Sequence, residues 1–160
     1  ALARLDADLA GELLIVTQNV DDLHERAGAR RVLHMHGELK SALCAACEHR
    51  LCWQDGLPPG AICPACAAPL LRPDIVFFGE IPYQMERIEE ALAGASLFVS
   101  IGTSGAVYPA AGFVQRARMC GATTVEVNIE PSDVAGLFHH QRQGRVTEGG
   151  EARREELEGR

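Results

Sequence analysis

The chain has 160 residues, a hydrophobic fraction of 47% and a formal net charge of −7, which fits one domain with room for a small inserted module. The negative charge argues against a nucleic-acid-binding protein, because such proteins present a basic surface. The sequence shows neither an apolar run long enough to span a membrane nor a signal peptide, so we expect a cytoplasmic protein without membrane partners.

The first forty residues predict the start of an α/β domain. Residues 1–10 predict a short amphipathic helix packed on a sheet, because Leu2, Leu5 and Leu9 recur at helical spacing. The apolar run at residues 13–16 then predicts a buried strand of a parallel sheet. The chain therefore passes from helix to strand within a few residues.

Polar side chains follow this strand and the next extended segment, residues 32–36. Gln18, Asn19 and Asp21 come after the first run, and His36 ends the second. In open α/β sheets, ligands bind beyond the carboxyl ends of the strands. We therefore expect these residues to form part of a binding site.

Four cysteines in the middle of the chain predict a metal site. They have the spacing C-x2-C-x15-C-x2-C, in which each C-x2-C forms a tight turn that presents two thiolates. Four thiolates complete a tetrahedral zinc shell with no open position, so the zinc is expected to be structural. The ligands predicted for this one zinc ion are Cys44, Cys47, Cys63 and Cys66.

The second half of the chain predicts alternating strands and helices. A strand, a glycine-rich turn, a helix and another strand form a βαβ unit, which is right-handed and therefore parallel. The predicted elements are strands at 75–78, 95–101 and 123–129, helices at 82–93 and 108–119, and a glycine-rich turn at 102–105.

These elements predict an α/β fold: a Rossmann-like parallel sheet with an inserted four-cysteine zinc-ribbon module. We assign residues 1–40 and 72–146 to the Rossmann-like domain and residues 41–71 to the zinc module. Residues 147–160 are rich in charge and poor in apolar side chains, so we predict a disordered tail.

Several runs in fixed order resemble the sirtuins, the NAD-dependent protein lysine deacylases, and above all their bacterial class III-like branch. The first three runs are TQNVD at 17–21, LHERAG at 23–28 and HMHGEL at 34–39. The four-cysteine module matches as well, followed by IVFFGE at 75–80, GTSGAVYPA at 102–110 and NIE at 128–130. Together these matches cover about residues 1–146.

The resemblance implies an enzyme that consumes NAD as it removes acetyl, succinyl or malonyl groups from protein lysines. Its products are nicotinamide and O-acyl-ADP-ribose. The general base matches His36, with His34 in a supporting role. The positions that match NAD-binding residues are Gln18, Asn19, Val20, Asp21, Gly102, Thr103, Ser104, Asn128, Ile129, Glu130 and Val146.

The resemblance also implies that an acyl-lysine protein or peptide binds as an added strand, a mode that reads the backbone more than the sequence. The matching substrate positions are Val76, Phe78, Gly79, Val107 and Pro109. We interpret the adjacent Phe77 as a residue of the hydrophobic core.

Sirtuins carry a glycine-rich turn for the NAD pyrophosphate ahead of the helix with which this chain starts, and residues 1–12 do not resemble it. We therefore expect the first strand and that turn to be missing, and the 160-residue chain to be inactive by itself. Two alternatives stay open. One is a non-catalytic zinc-containing fragment that binds peptide or nucleotide, and the other is an NAD-dependent protein ADP-ribosyltransferase.

Overall fold

The computed structural model describes residues 1–144, which divide into two compact units, the first Leu2–Met85 and the second beginning at Glu86 and including Ala1. The predicted cofactor contact Val146 and the predicted tail at 147–160 lie outside the described residues. Within residues 1–144, no helix combines the length and the apolar character needed to cross a membrane.

The first unit opens with two short helices and two parallel strands. They are α1 (Leu2–Asp8), β1 (Ile15–Thr17), α2 (Leu23–Arg26) and β2 (Val32–His34). Strands β1 and β2 pair in parallel with Ile15 opposite Val32. Both predicted strands are confirmed, although each is shorter than the segment from which it was predicted.

Helix α1 is held in place by a polar residue, Asp6, and not by its leucines. Leu5 and Leu9 are each 41% exposed, whereas Asp6 is buried. The Asp6 carboxylate accepts hydrogen bonds from the backbone N–H groups of Arg30 and Arg31 and from the Arg31 guanidinium. These donors, the Arg30 amide first, lower the pKa of Asp6 to about 2. The amphipathic helix is confirmed, but its apolar stripe is only half covered.

The rest of the first unit is an antiparallel sheet of three strands in the order β4-β3-β5. The strands are β3 (Gly37–Cys44), β4 (Arg50–Cys52) and β5 (Leu71–Ile75). The strand predicted at 75–78 was misplaced, since β5 ends at Ile75 and pairs antiparallel with β3. It forms there because β3 carries the chain from His36 to the first cysteine and β5 runs back along it.

The remaining elements form a parallel sheet in the order β6-β7-β8, which confirms the predicted βαβ unit. The helices are α3 (Met85–Gly94) and α4 (Phe113–Met119), and short 3₁₀ turns cover Ala110–Gly112 and Ala135–Leu137. The strands are β6 (Leu97–Ile101), β7 (Thr123–Asn128) and β8 (His140–Gln143). The core of this unit includes Val114, Ala117, Thr124 and Val125.

Candidate functional site

The carboxyl ends of β1 and β2 bring together the polar residues that follow them. Thr17 lies opposite His34, and the Met35 N–H donates to the Thr17 carbonyl at 3.1 Å. The Asn19 N–H then donates to the Thr17 hydroxyl, also at 3.1 Å. The loop after β1 and the histidines of the β2 end therefore lie side by side.

The His36 ring is oriented by the backbone of this loop. Its Nδ1 lies 3.1 Å from the Gln18 carbonyl oxygen. A carbonyl oxygen only accepts, so Nδ1 carries the hydrogen and donates it. In the neutral ring, Nε2 is then left with a free lone pair, which is the arrangement that a general base requires.

His34 has an acceptor at both ring nitrogens. Its Nδ1 lies 3.2 Å from the Asn19 carbonyl oxygen, and its Nε2 lies 2.9 Å from the Glu25 carboxylate. Burial alone would lower the pKa of His34, but the hydrogen bonds to Glu25 and Asn19 outweigh burial and raise the pKa above 6.5. A ring with an acceptor at each nitrogen makes both hydrogen bonds only when both nitrogens carry hydrogen, so His34 is less suited than His36 to act as a base.

The loop after β1 carries four of the predicted cofactor residues: Gln18, Asn19, Val20 and Asp21. Asn19 is exposed, and the Val20 carbonyl accepts the Leu39 N–H at 2.9 Å. One carboxylate oxygen of Asp21 accepts the N–H of Leu23 at 3.1 Å, at the start of α2. Asp21 therefore helps to begin a helix and keeps its second oxygen for another partner.

The four predicted cysteines come together. Their Sγ atoms all lie within 4.8 Å of one another, and the pairs Cys44–Cys66 and Cys47–Cys63 are 3.6 and 3.7 Å apart. A zinc–sulfur distance of about 2.3 Å implies tetrahedral edges of about 3.8 Å, so the shell fits one zinc ion. Burial would raise the pKa of Cys44, but the N–H groups of Ala46 and Cys47 lower it to about 7. The His49 N–H lowers the pKa of Cys47, but the other thiols and burial raise it to about 12, so the thiolate forms first at Cys44.

Both C-x2-C segments adopt the same turn. The Glu48 N–H donates to the Cys44 carbonyl, and the Ala67 N–H donates to the Cys63 carbonyl, each at 2.9 Å. Glu48 and Ala67 have φ angles of 58° and 60°, in the left-handed region that non-glycine residues seldom occupy. Because the two turns have the same geometry, they present two equivalent pairs of thiols although the sequences around them differ.

The glycine-rich turn of the second unit follows β6. The Gly102 N–H donates to the Val127 carbonyl at 2.9 Å, and the Asn128 side-chain amide donates to the Thr103 carbonyl at 2.7 Å. The helix predicted at 108–119 begins later than expected, since α4 covers Phe113–Met119. The next 3₁₀ turn begins at Ala110, since the intervening segment is irregular.

The remaining predicted residues of this unit surround the same turn. The Ser104 carbonyl accepts the Asp133 N–H at 2.9 Å. The Ile129 N–H donates to the Asn128 side-chain oxygen at 2.9 Å, and the Ile129 side chain is exposed. Glu130 is exposed just beyond β7. Gly102, Thr103, Ser104 and Asn128 are thus brought together by hydrogen bonds.

The predicted substrate residues of the first unit follow β5 in an irregular segment. The Val76 N–H donates to the His36 carbonyl at 2.9 Å, which places this segment beside the histidine. Phe78 is fully exposed, and Gly79 has a φ of 91°. Our interpretation of Phe77 as a core residue was wrong, because its side chain is 47% exposed.

Val107 and Pro109 lie in the second unit, between the glycine-rich turn and the first 3₁₀ turn. Val107 is exposed and Pro109 is half-buried. Neither residue lies in a strand. Their assignment as substrate contacts therefore stays a prediction.

Sequence reasoning missed a buried carboxylate close to this site. Asp74, on β5, accepts hydrogen bonds from the side chains of Ser41, Arg50 and Tyr83. The only signal in the sequence is an acidic residue at the start of an otherwise apolar run. That signal was too weak to distinguish Asp74 from an exposed turn residue.

Comparisons with known proteins agree with these features. The Sir2 family model matches residues 1–109. An NAD-dependent protein deacylase of Caulobacter vibrioides is 56% identical over 154 residues, which cover 92% of this chain and 64% of the relative. An NAD-dependent protein deacylase of Vibrio parahaemolyticus is 49% identical over 148 residues, which cover 92% of this chain and 61% of the relative.

Solved structures show the same similarity. The crystal structure of a Sir2 homologue–NAD complex has a TM-score of 0.87 at 30% identity and covers 98% of this chain and 62% of its own. A Sir2–p53 peptide–NAD+ complex has a TM-score of 0.83 at 32% identity and covers 99% of this chain and 67% of its own. The chain spans less than two thirds of the length of the two curated relatives above.

Proposed function

Because the chain belongs to the Sir2 family, we propose that it acts in the NAD-dependent removal of acyl groups from protein lysines. Acetyl, succinyl and malonyl groups are the candidate acyl chains, and nicotinamide and O-acyl-ADP-ribose are the products. The observation that carries the proposal is the His36 ring, because the Gln18 carbonyl fixes its Nδ1–H and leaves Nε2 as a base.

Residues near His36 suit the nicotinamide end of NAD. Bound NAD would supply the electrophilic carbon of a ribose and nicotinamide as the leaving group. His36 Nε2 would accept a proton from a ribose hydroxyl. The exposed amide of Asn19 and the second carboxylate oxygen of Asp21 offer a donor and an acceptor that match a carboxamide. Gln18 and Val20 would position these groups through their backbone.

Residues around the glycine-rich turn suit the adenosine end of NAD. The turn offers hydroxyl groups and a left-handed glycine, and Asn128 holds it in shape. Glu130 adds an exposed carboxylate of the kind that binds ribose hydroxyls. The residues assigned here are Gly102, Thr103, Ser104, Asn128, Ile129 and Glu130.

An acyl-lysine protein or peptide would be the second substrate. The hydrogen bond between Val76 and His36, together with the exposed ring of Phe78, supports a place for the acyl-lysine beside the base. Gly79, Val107 and Pro109 complete the assigned substrate residues. A cytoplasmic location is part of the same proposal.

One structural zinc ion would occupy the four-cysteine module. The sulfur positions of Cys44, Cys47, Cys63 and Cys66 fit its tetrahedral shell. With four thiolate ligands the ion has no open position for substrate, so its role would be to hold the module together.

The test is a deacylation assay on the protein at the length that its gene encodes, with NAD and matched acetyl- and succinyl-lysine peptides. We expect His36→Gln to lower turnover roughly 10²- to 10⁴-fold, the contribution of a general base. His24→Gln, the same change in the nearby helix α2, is the control and should leave turnover unchanged.

Mass spectrometry of the products decides between the possible outcomes. Free peptide and O-acyl-ADP-ribose support the proposal. ADP-ribose attached to protein would show a transferase instead, and binding without products would show a non-catalytic module. Wild-type turnover in His36→Gln would show that His36 is not the general base.

A further inference from the structure

We propose that Asp74 is a positioning residue that fixes the backbone around His36 and links it to the four-cysteine module. The proposal depends on the proposed function only for the role given to His36. It rests on three groups of contacts, all within the first unit: those of the Asp74 carboxylate, those of a bulge in β3, and those of the backbone beside His36.

The Asp74 carboxylate accepts hydrogen bonds from three separate segments of the chain. It is 5% exposed and accepts from the Ser41 hydroxyl at 3.0 Å, the Arg50 guanidinium at 3.1 Å and the Tyr83 hydroxyl at 2.8 Å. A buried carboxylate without such partners is strongly unfavourable, so these donors are held firmly once the chain has folded. The carboxylate therefore constrains β3, β4 and the segment before α3 together.

Asp74 also lies at a break in the pairing of β3 with β5. Asp74 is opposite Glu38, but the next residue toward the cysteines, Pro73, is opposite Ala42. Residues 39–41 therefore have no partner on β5 and form a bulge in β3. Bulges re-aim a strand and are frequent beside active sites, which is consistent with the place of this one between His36 and Cys44.

Each bulge residue contacts a different part of the unit. The Leu39 N–H donates to the Val20 carbonyl, in the loop assigned to nicotinamide, at 2.9 Å. The Lys40 carbonyl accepts the Trp53 N–H at 2.9 Å, in the cysteine module. Ser41 binds Asp74. The bulge is thus the junction through which the module and the cofactor loop are joined, and Asp74 holds it closed.

The backbone beside His36 is fixed from the same side. The His36 carbonyl accepts the Val76 N–H, and the Met35 carbonyl accepts the Tyr83 N–H, each at 2.9 Å. Val76 is two residues beyond Asp74, and Tyr83 is itself an Asp74 donor. Loss of the carboxylate would therefore release both hydrogen bonds that flank the base.

At Gly37 the backbone that follows His36 lies very close to the backbone of Asp74. It has a φ of 83°, and a Cβ placed on it would lie 2.0 Å from the Asp74 carbonyl oxygen. No side chain fits at that distance, so the backbones of His36–Gly37 and Asp74 are in direct contact. A shift of Asp74 would be passed to His36 without an intervening side chain.

Arg50 acts mainly by fixing the positions of its neighbours, and the energy of its ion pair with Asp74 contributes little. Its side chain is half exposed, and such pairs contribute little to stability. The guanidinium also lies 5.0 Å from the centre of the Tyr83 ring, so it contacts both the carboxylate and a second donor. Arg50 belongs to β4, and through it the cysteine module reaches Asp74.

The test is amide hydrogen exchange, measured by NMR on the zinc-loaded chain with Asp74→Asn. We expect exchange at the N–H groups of Leu39, Val76 and Tyr83 to become at least roughly tenfold faster, the effect of losing one or more hydrogen bonds. The Met35 N–H, bound to Thr17 in the β1–β2 pair, should be unchanged. Glu89→Gln is the control.

Glu89 suits this purpose because it forms an ion pair with Arg116 at 2.9 Å in the second unit. The second readout is the ¹⁵N shift of the His36 ring, which reports the Nδ1–H tautomer. It should change in Asp74→Asn and not in Glu89→Gln, with one zinc per chain in both.

Two results would overturn the proposal: unchanged exchange and an unchanged His36 ring, or equal acceleration at all amides including Met35, which would mean a general loss of stability. If Asp74→Asn does not fold, Ser41→Ala removes a single donor and should accelerate Leu39 exchange roughly tenfold. An unaffected Leu39 in that variant would also overturn it. These measurements use neither NAD nor peptide, so a failed deacylation assay leaves their outcome intact.

Discussion

Two histidines only two residues apart use their rings differently. The His36 ring donates from Nδ1 to the Gln18 carbonyl, which leaves the lone pair of the neutral ring on Nε2, whereas the His34 ring has acceptors at both nitrogens, in Asn19 and Glu25. Residue type alone did not distinguish them. The difference arises from the β1 loop, whose successive carbonyls face the two rings.

We expect the stabilisation from His34 to depend on pH. The pKa of His34 is raised above 6.5 in the folded chain, so the native state binds the proton more tightly than the unfolded chain does. The contribution is therefore fully present below pH 6.5 and is lost as the pH rises through the folded-state pKa. His34→Gln should lower the free energy of unfolding by about 1 kcal/mol at low pH and by less at high pH.

Urea unfolding at about pH 6 and about pH 9 measures this difference, and the spread of pH covers the titration. His24→Gln, in helix α2, is the matched control. A His34→Gln effect that stayed constant or grew with pH would contradict the raised pKa of His34.

At the residue scale, the spacing of the four cysteines predicted their cluster. The order of the sirtuin-like runs pointed to His36, whose role as a base stays a prediction. Asp74 escaped notice because its role depends on three donors that are distant in sequence: Ser41, Arg50 and Tyr83. Phe77 was misjudged for a similar reason, since an aromatic residue in an apolar run has the composition of a core strand.

At the scale of elements, the antiparallel strands β3 and β5 connect the cysteine module to the His36 end of the first unit. Leu71 pairs with Cys44 at one end, and Ile75 pairs with Gly37 at the other. The sequence did not reveal β3, because residues 37–44 show neither clear alternation nor a continuous apolar run. These residues form a strand because they pair with β5, and their own sequence pattern does not indicate one.

We expect the chain to bind one zinc ion and its removal by a chelator to loosen the cysteine ends of β3 and β5. Structural zinc contributes on the order of 10 kcal/mol in small modules. Trp53, the single tryptophan, packs against the cluster formed by Cys44, Cys63 and Leu71. Its fluorescence should therefore shift to longer wavelength as zinc is withdrawn.

Cys63→Ser should reduce the zinc content well below one per chain, whereas Cys52→Ser should leave it at one. Cys52 lies in the same module but is exposed and outside the four-sulfur cluster. Freshly purified, reduced protein without stoichiometric zinc would contradict this assignment, as would loss of zinc in Cys52→Ser.

At the scale of the whole molecule, the net charge of −7 favours basic partners. If the proposed function holds, the apparent KM for an acyl-lysine peptide flanked by lysine and arginine should rise several-fold between about 20 mM and about 500 mM salt. A peptide flanked by glutamate should show no rise. Equal salt dependence for both peptides would contradict electrostatic steering.

The parallel strands were predictable, because short apolar runs separated by helices admit few other folds. Strand β8 was not, since its four residues, His140–Gln143, are polar and exposed and form a strand only by pairing with β7. The predicted boundaries of the Rossmann-like domain, the zinc module and the tail stay a prediction.

The close approach of Gly37 to Asp74 affects how proteins of this kind can diverge. A Cβ at position 37 would lie 2.0 Å from the Asp74 carbonyl oxygen, so only glycine fits at the position that follows His36. Phe77, Phe78 and Ile81 are exposed and carry no comparable constraint. If the proposed function holds, mutational drift would therefore change this exposed surface sooner than the backbone that carries His36, and substrate preference would change sooner than the proton transfer.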